Sequence, residues 1–230
     1  MSIAENIALV RANIAQACAQ AGRSPEEITL VGASKMNDAA ACREAIAAGI
    51  DALGENRVQE MTAKLAENAY DGAPLHFIGH LQRNKVKQVV GKVALIQSVG
   101  SKELLDEIEK VAAAKGLVQD ILLEVNIGEE EAKSGFAPAE LFAAAEEARK
   151  REHGRVRGLM TIPPADADRD TNMQYFHKVR ALYVDINAKL FHNELEYLSM
   201  GMSGDYEDAI RAGANMVRVG TAIFGARHYT

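Results

Sequence analysis

A single (β/α)8 barrel with an extra N-terminal helix is the fold this sequence predicts, and three observations predict it. From Ile28 onward, eight short apolar runs alternate with segments of helical spacing, the pattern of parallel strands joined by crossover helices. The 230 residues are used up by those pairs, so one domain is expected over 1–230. No GxGxxG turn follows the first run, which weighs against the structural alternative, a doubly wound open sheet.

The elements follow in order. Ile3, Ile7, Val10, Ile14, Ala17 and Ala21 recur at three- and four-residue steps, giving an amphipathic helix over 3–21 that Gly22 ends. That helix precedes the first strand and is expected to plug or cover the barrel bottom. Ile28 to Ser34 is the first strand, with an alanine-rich helix at 38–48 after it. A short strand at 50–54 leads into a helix expected to open at Glu55-Asn56-Arg57. The third strand is 75–79, and His80 to Lys85 is expected to open the next helix. Strands at 93–99, 120–126, 156–161, 197–200 and 216–219 complete the set. The helices between them lie at 102–115, from Pro138, at 169–191 and at 205–212. Pro138 marks a first helical position.

Composition excludes several function classes. A net charge of -6 disfavours a general nucleic-acid binder, which carries a basic face. No run of 18 apolar residues is present, so membrane insertion is not expected. The N-terminus has neither the basic nor the apolar region of a signal peptide. Cys18 and Cys42 lack metal-ligand spacing and imply no disulfide framework. A reducing cytoplasm is therefore the default, and the six histidines have no HExxH or CxxC companions, so no metal site is expected.

In such a barrel the chemistry sits just after each strand. The residues there are Lys35, Glu55-Asn56, His80, Asn126, Met160-Thr161, Ser199 to Ser203, and Arg218 to Thr221. Lys35 ends a strand of small residues; it either reaches into solvent or forms a Schiff base with a carbonyl. The loops after strands seven and eight, Ser199 to Gly204 and Gly220-Thr221, have the small and hydroxyl residues of a phosphate cradle. Ser203 is alternatively a helix cap. Asp205, Glu207 and Asp208 count against phosphate on the seventh-loop helix, so the Gly220-Thr221 backbone is expected to carry most of it. A lysine facing a phosphate cradle points to a phosphorylated aldehyde, either a sugar phosphate or pyridoxal 5'-phosphate (PLP). Arg218 either faces a pyridine nitrogen, which it leaves unprotonated, or pairs with a carboxylate such as Glu124.

Six segments carry a family resemblance: Val31 to Lys35, Gly54-Glu55-Asn56, His76 to Lys85, Gly158 to Thr161, Leu198 to Asp205, and Val217 to Gly225. With them the sequence resembles, along essentially its whole length, the YggS/PROSC family of pyridoxal phosphate homeostasis proteins. Met36-Asn37-Asp38 departs from the family's pattern. The resemblance implies a fold similar to the N-terminal barrel of alanine racemase, with PLP on Lys35 as a Schiff base and Arg218 at the pyridine nitrogen. It implies Ser203, Gly220 and Thr221 at the phosphate, and Asn56 and His80 in the pocket. Met160, Ser199 and Met200 are expected to complete it.

The family resemblance further implies a cytoplasmic PLP binder that serves vitamin B6 and amino-acid homeostasis, without catalytic turnover. The expected partners are PLP and PLP-dependent apoenzymes, and the expected state is a monomer. Racemisation needs a second base on the opposite face. In the racemase that base is a tyrosine on an added β-domain, and the sequence stops at Thr230, just past strand eight. Tyr206 and Tyr229 are read as surface residues. An amino-acid racemase-like PLP enzyme is the alternative function, and a sugar-phosphate Schiff-base enzyme is a third. Lys133 reads as a solvated loop charge beside Glu129-Glu130-Glu131, with a role at the mouth as the alternative. His153, His177, His192 and His228 read as surface residues, and the methionines mostly as core filler, with an apolar lining beside the ring as the alternative for Met160, Met200 and Met202.

Overall fold

The computed structural model describes residues 1–225. A capping box between Ser2 and Glu5 starts α1 (Ile3–Gln20). Eight parallel strands follow: β1 (Thr29–Ala33), β2 (Ala52–Glu55), β3 (Leu75–Phe77), β4 (Leu95–Val99), β5 (Gln119–Val125), β6 (Gly154–Thr161), β7 (Tyr197–Ser199) and β8 (Met216–Val219). Each pairs with the next, and β8 pairs back with β1 to close the barrel. The strands are followed in turn by α2 (Ala39–Ala47), α3 (Val58–Ala66), α4 (Val86–Val89), α5 (Lys102–Ala114), α6 (Pro138–Ala148), α7 (Arg169–Leu190), α8 (Tyr206–Arg211) and α9 (Thr221–Phe224).

Side chains alternate across each strand, which divides the core in two. Val31, Ala52, Leu95, Leu122, Met160 and Met216 meet inside the barrel. Leu30, Leu53, Ile96, Leu123, Leu198 and Val217 pack outward into the larger core shared with the helices.

Three sequence expectations are corrected. First, α1 does not cover the barrel bottom. It packs against α2, α8 and α9. Asn6 donates to the Ile223 carbonyl at 2.8 Å, and Asn13 to the Tyr206 hydroxyl at 3.0 Å. The helix after β8, α9, is a single turn, so α1 fills the gap in the outer ring between α8 and α2. Second, Glu55 closes β2 rather than opening a helix, because its carbonyl accepts the Ile78 N–H at 2.9 Å in the ladder. Third, His80 to Gln82 are not helical: a 3-10 turn starts at Arg83, and α4 spans only Val86–Val89.

Candidate functional site

Strand register gathers the predicted residues at the C-terminal mouth. Val31 lies opposite both Ala52 and Arg218, and Ala33 lies opposite Gly54. Continuing the two-residue period, Lys35 and Asn56 stand at one level on neighbouring strands, and Gly220 stands beside Ala33. A Cβ placed on Gly220 would be 3.4 Å from the Ala33 Cβ. Asn56 is fixed from the other side by Gly79, where any Cβ would stand 2.2 Å from the Asn56 carbonyl oxygen. Only glycine permits that approach.

Arg218 is 2% exposed, with its charge inside the barrel. Its Nη1 donates to Ser199 Oγ at 2.5 Å and its Nη2 to the Thr161 carbonyl at 2.8 Å. The Ser199 hydroxyl donates to Gln97 Oε1 at 2.6 Å, and Gln97 Nε2 lies 3.0 Å from His76 Nδ1. Burial pulls Arg218 down to about 10, against the opposing charges of Asp205 and Glu124. Burial alone lowers His76 to about 4, so the ring is neutral. Among the described residues no carboxylate lies within ion-pair distance of Arg218, so the pairing with Glu124 does not form. Glu124 instead accepts from Ser134 Oγ at 3.1 Å, and burial holds its carboxyl above the usual range.

Ser203 does not cap α8. Its Oγ accepts from the N–H groups of Gly220 (3.1 Å) and Ala222 (3.3 Å), which ties the loop after β7 to the first turn of α9. A hydroxyl and two backbone amides therefore converge at one point beside Thr221, whose side is exposed. Asp205 is turned to the loop's own backbone and accepts from Met202 N–H at 2.6 Å.

Two cavities open at the mouth. One of about 630 Å³ is lined by Pro163, Met202, Ser203, Asp205 and Arg218. Another of about 400 Å³ is lined by Asn56, His80, Glu124, Asn126, Lys133 and Ser134. Lys35, half-buried, lines neither, and register places its strand between Asn56 and Arg218. Ser199 and Met160 are fully buried below the mouth, Ser199 against Arg218 and Met160 in the barrel interior. Met200 points the other way, into the core outside the barrel. Lys133 pairs with Glu130 at 2.6 Å, as its acidic neighbours suggest.

Tyr206 is buried rather than on the surface, and His153 is half-buried with Nδ1 3.0 Å from the Leu117 carbonyl. Tyr229 and His228 lie outside the described residues. The role of Gln97 and His76 under Arg218 was not anticipated. The available signal was polar residues at inward positions of otherwise apolar strands.

These features define a barrel of the alanine racemase N-terminal class: residues 6–228 match the family model described as alanine racemase, N-terminal domain. The alanine racemase of Clostridium difficile has the same fold, with a TM-score of 0.72 at 20% identity, over 98% of this chain and 58% of that one. Much closer similarity exists to pyridoxal phosphate homeostasis proteins. The one from Aquifex aeolicus is 42% identical over the full length of both chains, and the one from Pseudomonas aeruginosa is 42% identical over 99% of this chain and 97% of that one. PipY of Synechococcus elongatus, solved with PLP bound, superposes with a TM-score of 0.85 at 33% identity, covering 97% of this chain and all of PipY. The chain belongs to the pyridoxal phosphate homeostasis protein family.

Proposed function

We propose that this chain, as one domain over 1–230, binds pyridoxal 5'-phosphate at the barrel mouth and serves vitamin B6 homeostasis as a reversible holder of the cofactor. The observation that carries the reading is the convergence of three features on adjacent strands: Lys35 after β1, the buried Arg218 on β8, and the Ser203–Gly220–Ala222 donor cluster after β7 and β8. The donor set fits the cofactor. A buried arginine with neutral acceptors suits a ring nitrogen, and the N–H groups of Gly220 and Ala222, which here donate to Ser203 Oγ, suit a phosphate oxygen that takes that hydroxyl's place.

When bound, PLP supplies an aldehyde that condenses with an amine and a ring that withdraws electrons. The chain's residues do the rest. Lys35 supplies the amine. Arg218 donates toward the ring nitrogen without giving up its proton. Ser203, Gly220 and Thr221 hold the phosphate, and Asn56 and His80 bound the opposite side. Ser199 and Met160 support from below, and Met200 supports from the outer core.

We further infer that the chain performs no sustained racemase turnover. Among the described tyrosines, Tyr206 accepts from Asn13, and the hydroxyls of Tyr70 and Tyr183 donate to Glu55 and the Leu195 carbonyl, so the hydroxyls of these three are engaged within the protein. The setting is cytoplasmic, with a monomer that exchanges PLP with apoenzymes. No helix among the described residues is long and apolar enough to cross a membrane.

PLP added to the purified protein should raise a visible absorbance band that borohydride bleaches, with the reduced adduct mapping to Lys35 and absent in Lys35→Ala. A protein that develops no band would overturn the proposal. Incubation of the loaded protein with L-alanine in heavy water should give neither Cα deuteration nor D-alanine; rapid appearance of both would make it a racemase.

A further inference from the structure

The peptide groups on both sides of Lys35 are held by one buried ion cluster on the outer side of the barrel wall. Lys64 on α3 is 5% exposed and Glu55 at the end of β2 is fully buried. Lys64 Nζ donates to Glu55 Oε1 at 2.7 Å, to Glu60 Oε1 at 2.8 Å and to the Ser34 carbonyl at 2.8 Å, which uses all three ammonium protons. The Ser34 carbonyl belongs to the peptide bond that enters Lys35. Glu60 Oε1 also accepts the N–H of Met36, which belongs to the peptide bond that leaves it. Met36 sits at φ 63, a left-handed conformation unusual for a side chain of this size. The Ser34 hydroxyl adds a third tie, donating to Glu55 Oε1 at 2.6 Å.

Charge balance shows how firmly the cluster is set. Burial alone depresses the Lys64 ammonium, yet its bonds to Glu55 and Glu60 hold it above its ordinary range. Nothing in phosphate or ring binding uses these groups, which lie behind the wall rather than in either mouth cavity.

We propose that Lys64, braced by Glu55 and Glu60, is a positioning residue for Lys35: it fixes the backbone on both sides of that lysine and so sets the direction from which its amine meets a bound aldehyde. The inference rests on the reading that Lys35 condenses with PLP. Capture of a carbonyl is sensitive to displacements of about 1 Å, with losses of about 100-fold. A strand-end lysine on an unbraced loop would sample many approaches. The bracing narrows them while leaving the ring and phosphate contacts, on β8 and the loops after β7 and β8, untouched.

Glu60→Ala is the decisive variant, because it removes the Met36 tie while the buried Lys64–Glu55 pair remains. Two ligands are compared on wild type and variant. PLP is followed by the rate of band formation, and pyridoxine 5'-phosphate, which has the same ring and phosphate but no aldehyde, is followed by calorimetry. Glu60→Ala should slow band formation about 10-fold or more and leave the affinity for pyridoxine 5'-phosphate within about two-fold. Glu60→Gln, which retains an acceptor for both donors, should restore most of the rate. Lys64→Met, if folded by circular dichroism, should show the same split with a larger rate loss. An unchanged rate in Glu60→Ala, or an equal loss for both ligands, would overturn the positioning role. A wild type that forms no band would count against condensation of PLP with Lys35, the underlying reading, and is seen before any variant is made.

Discussion

Lys64, behind the wall between β1 and β2, is matched by two carboxylates. Arg218, inside the barrel on the strand adjoining β1, is matched by a hydroxyl and a carbonyl. Both cations are buried, but only one is neutralised. The consequence is visible in how tightly each holds its proton: Lys64 is held above its ordinary range, whereas burial takes Arg218 down to about 10. A buried charge with its full complement of counter-charges is committed to structure. A buried charge resting on neutral dipoles retains field for a ligand. The mouth therefore combines a cation matched by carboxylates behind the wall with a cation resting on neutral groups inside the barrel.

The largest expected effect breaks the committed side. Lys64→Met leaves the Glu55 carboxylate buried without its cation and should cost about 3–5 kcal/mol in urea unfolding. Glu55→Gln/Lys64→Met should recover a substantial part of that. A double variant no more stable than Lys64→Met would show that the charge of Glu55 is not what Lys64 balances.

The interior side should answer to pH. His76 has a folded-state value of about 4, below the 6.5 of the free side chain. The unfolded chain takes up a proton at His76 before the folded one does, so stability is fully present above pH 6.5 and is lost as pH falls toward 4. The loss attributable to this ring approaches about 3 kcal/mol at the acid end. His76→Gln should flatten the stability profile between those values, and an identical acid limb in both proteins would place the titration elsewhere.

Smaller effects sharpen the contrast. Gly79→Ala forces a Cβ against the Asn56 carbonyl and should destabilise by about 1–3 kcal/mol while weakening PLP binding through Asn56 and His80. A fully stable Gly79→Ala would mean that the end of β3 moves freely. Ser199→Ala should cost about 1 kcal/mol and shift the PLP absorbance band through Arg218, with no change in phosphate-only binding. Equal loss of inorganic phosphate binding would place Ser199 at the phosphate rather than beneath Arg218.

Much of this was legible in the chain. Eight apolar runs separated by helical spacing lead to a closed parallel barrel because each run must bury both faces, and all eight strands lie where the pattern puts them. Lys35, Asn56, His80, Ser203, Arg218, Gly220 and Thr221 are picked out as candidates by their position at or just after strand ends. The boundaries at Glu55 and His80 were not, because a ladder hydrogen bond and a glycine contact decide them, and neither has a local signature. Met200 went to the outer core because a one-residue step along a strand reverses the face. The destination of Tyr206 was equally hidden, since its partner Asn13 lies 193 residues away.

Periodicity and strand-end chemistry, both local properties, thus determined by sequence alone the barrel, the mouth, and the lysine, arginine and small-residue loops around it. Tertiary structure alone decided what stands behind each of those residues. Lys64 meets Ser34 across 30 positions, and Gln97 meets Ser199 across 102. Whether a buried cation is neutralised or left for a ligand depends on which oxygens surround it in space. That is settled by barrel closure and register, not by neighbours in the chain.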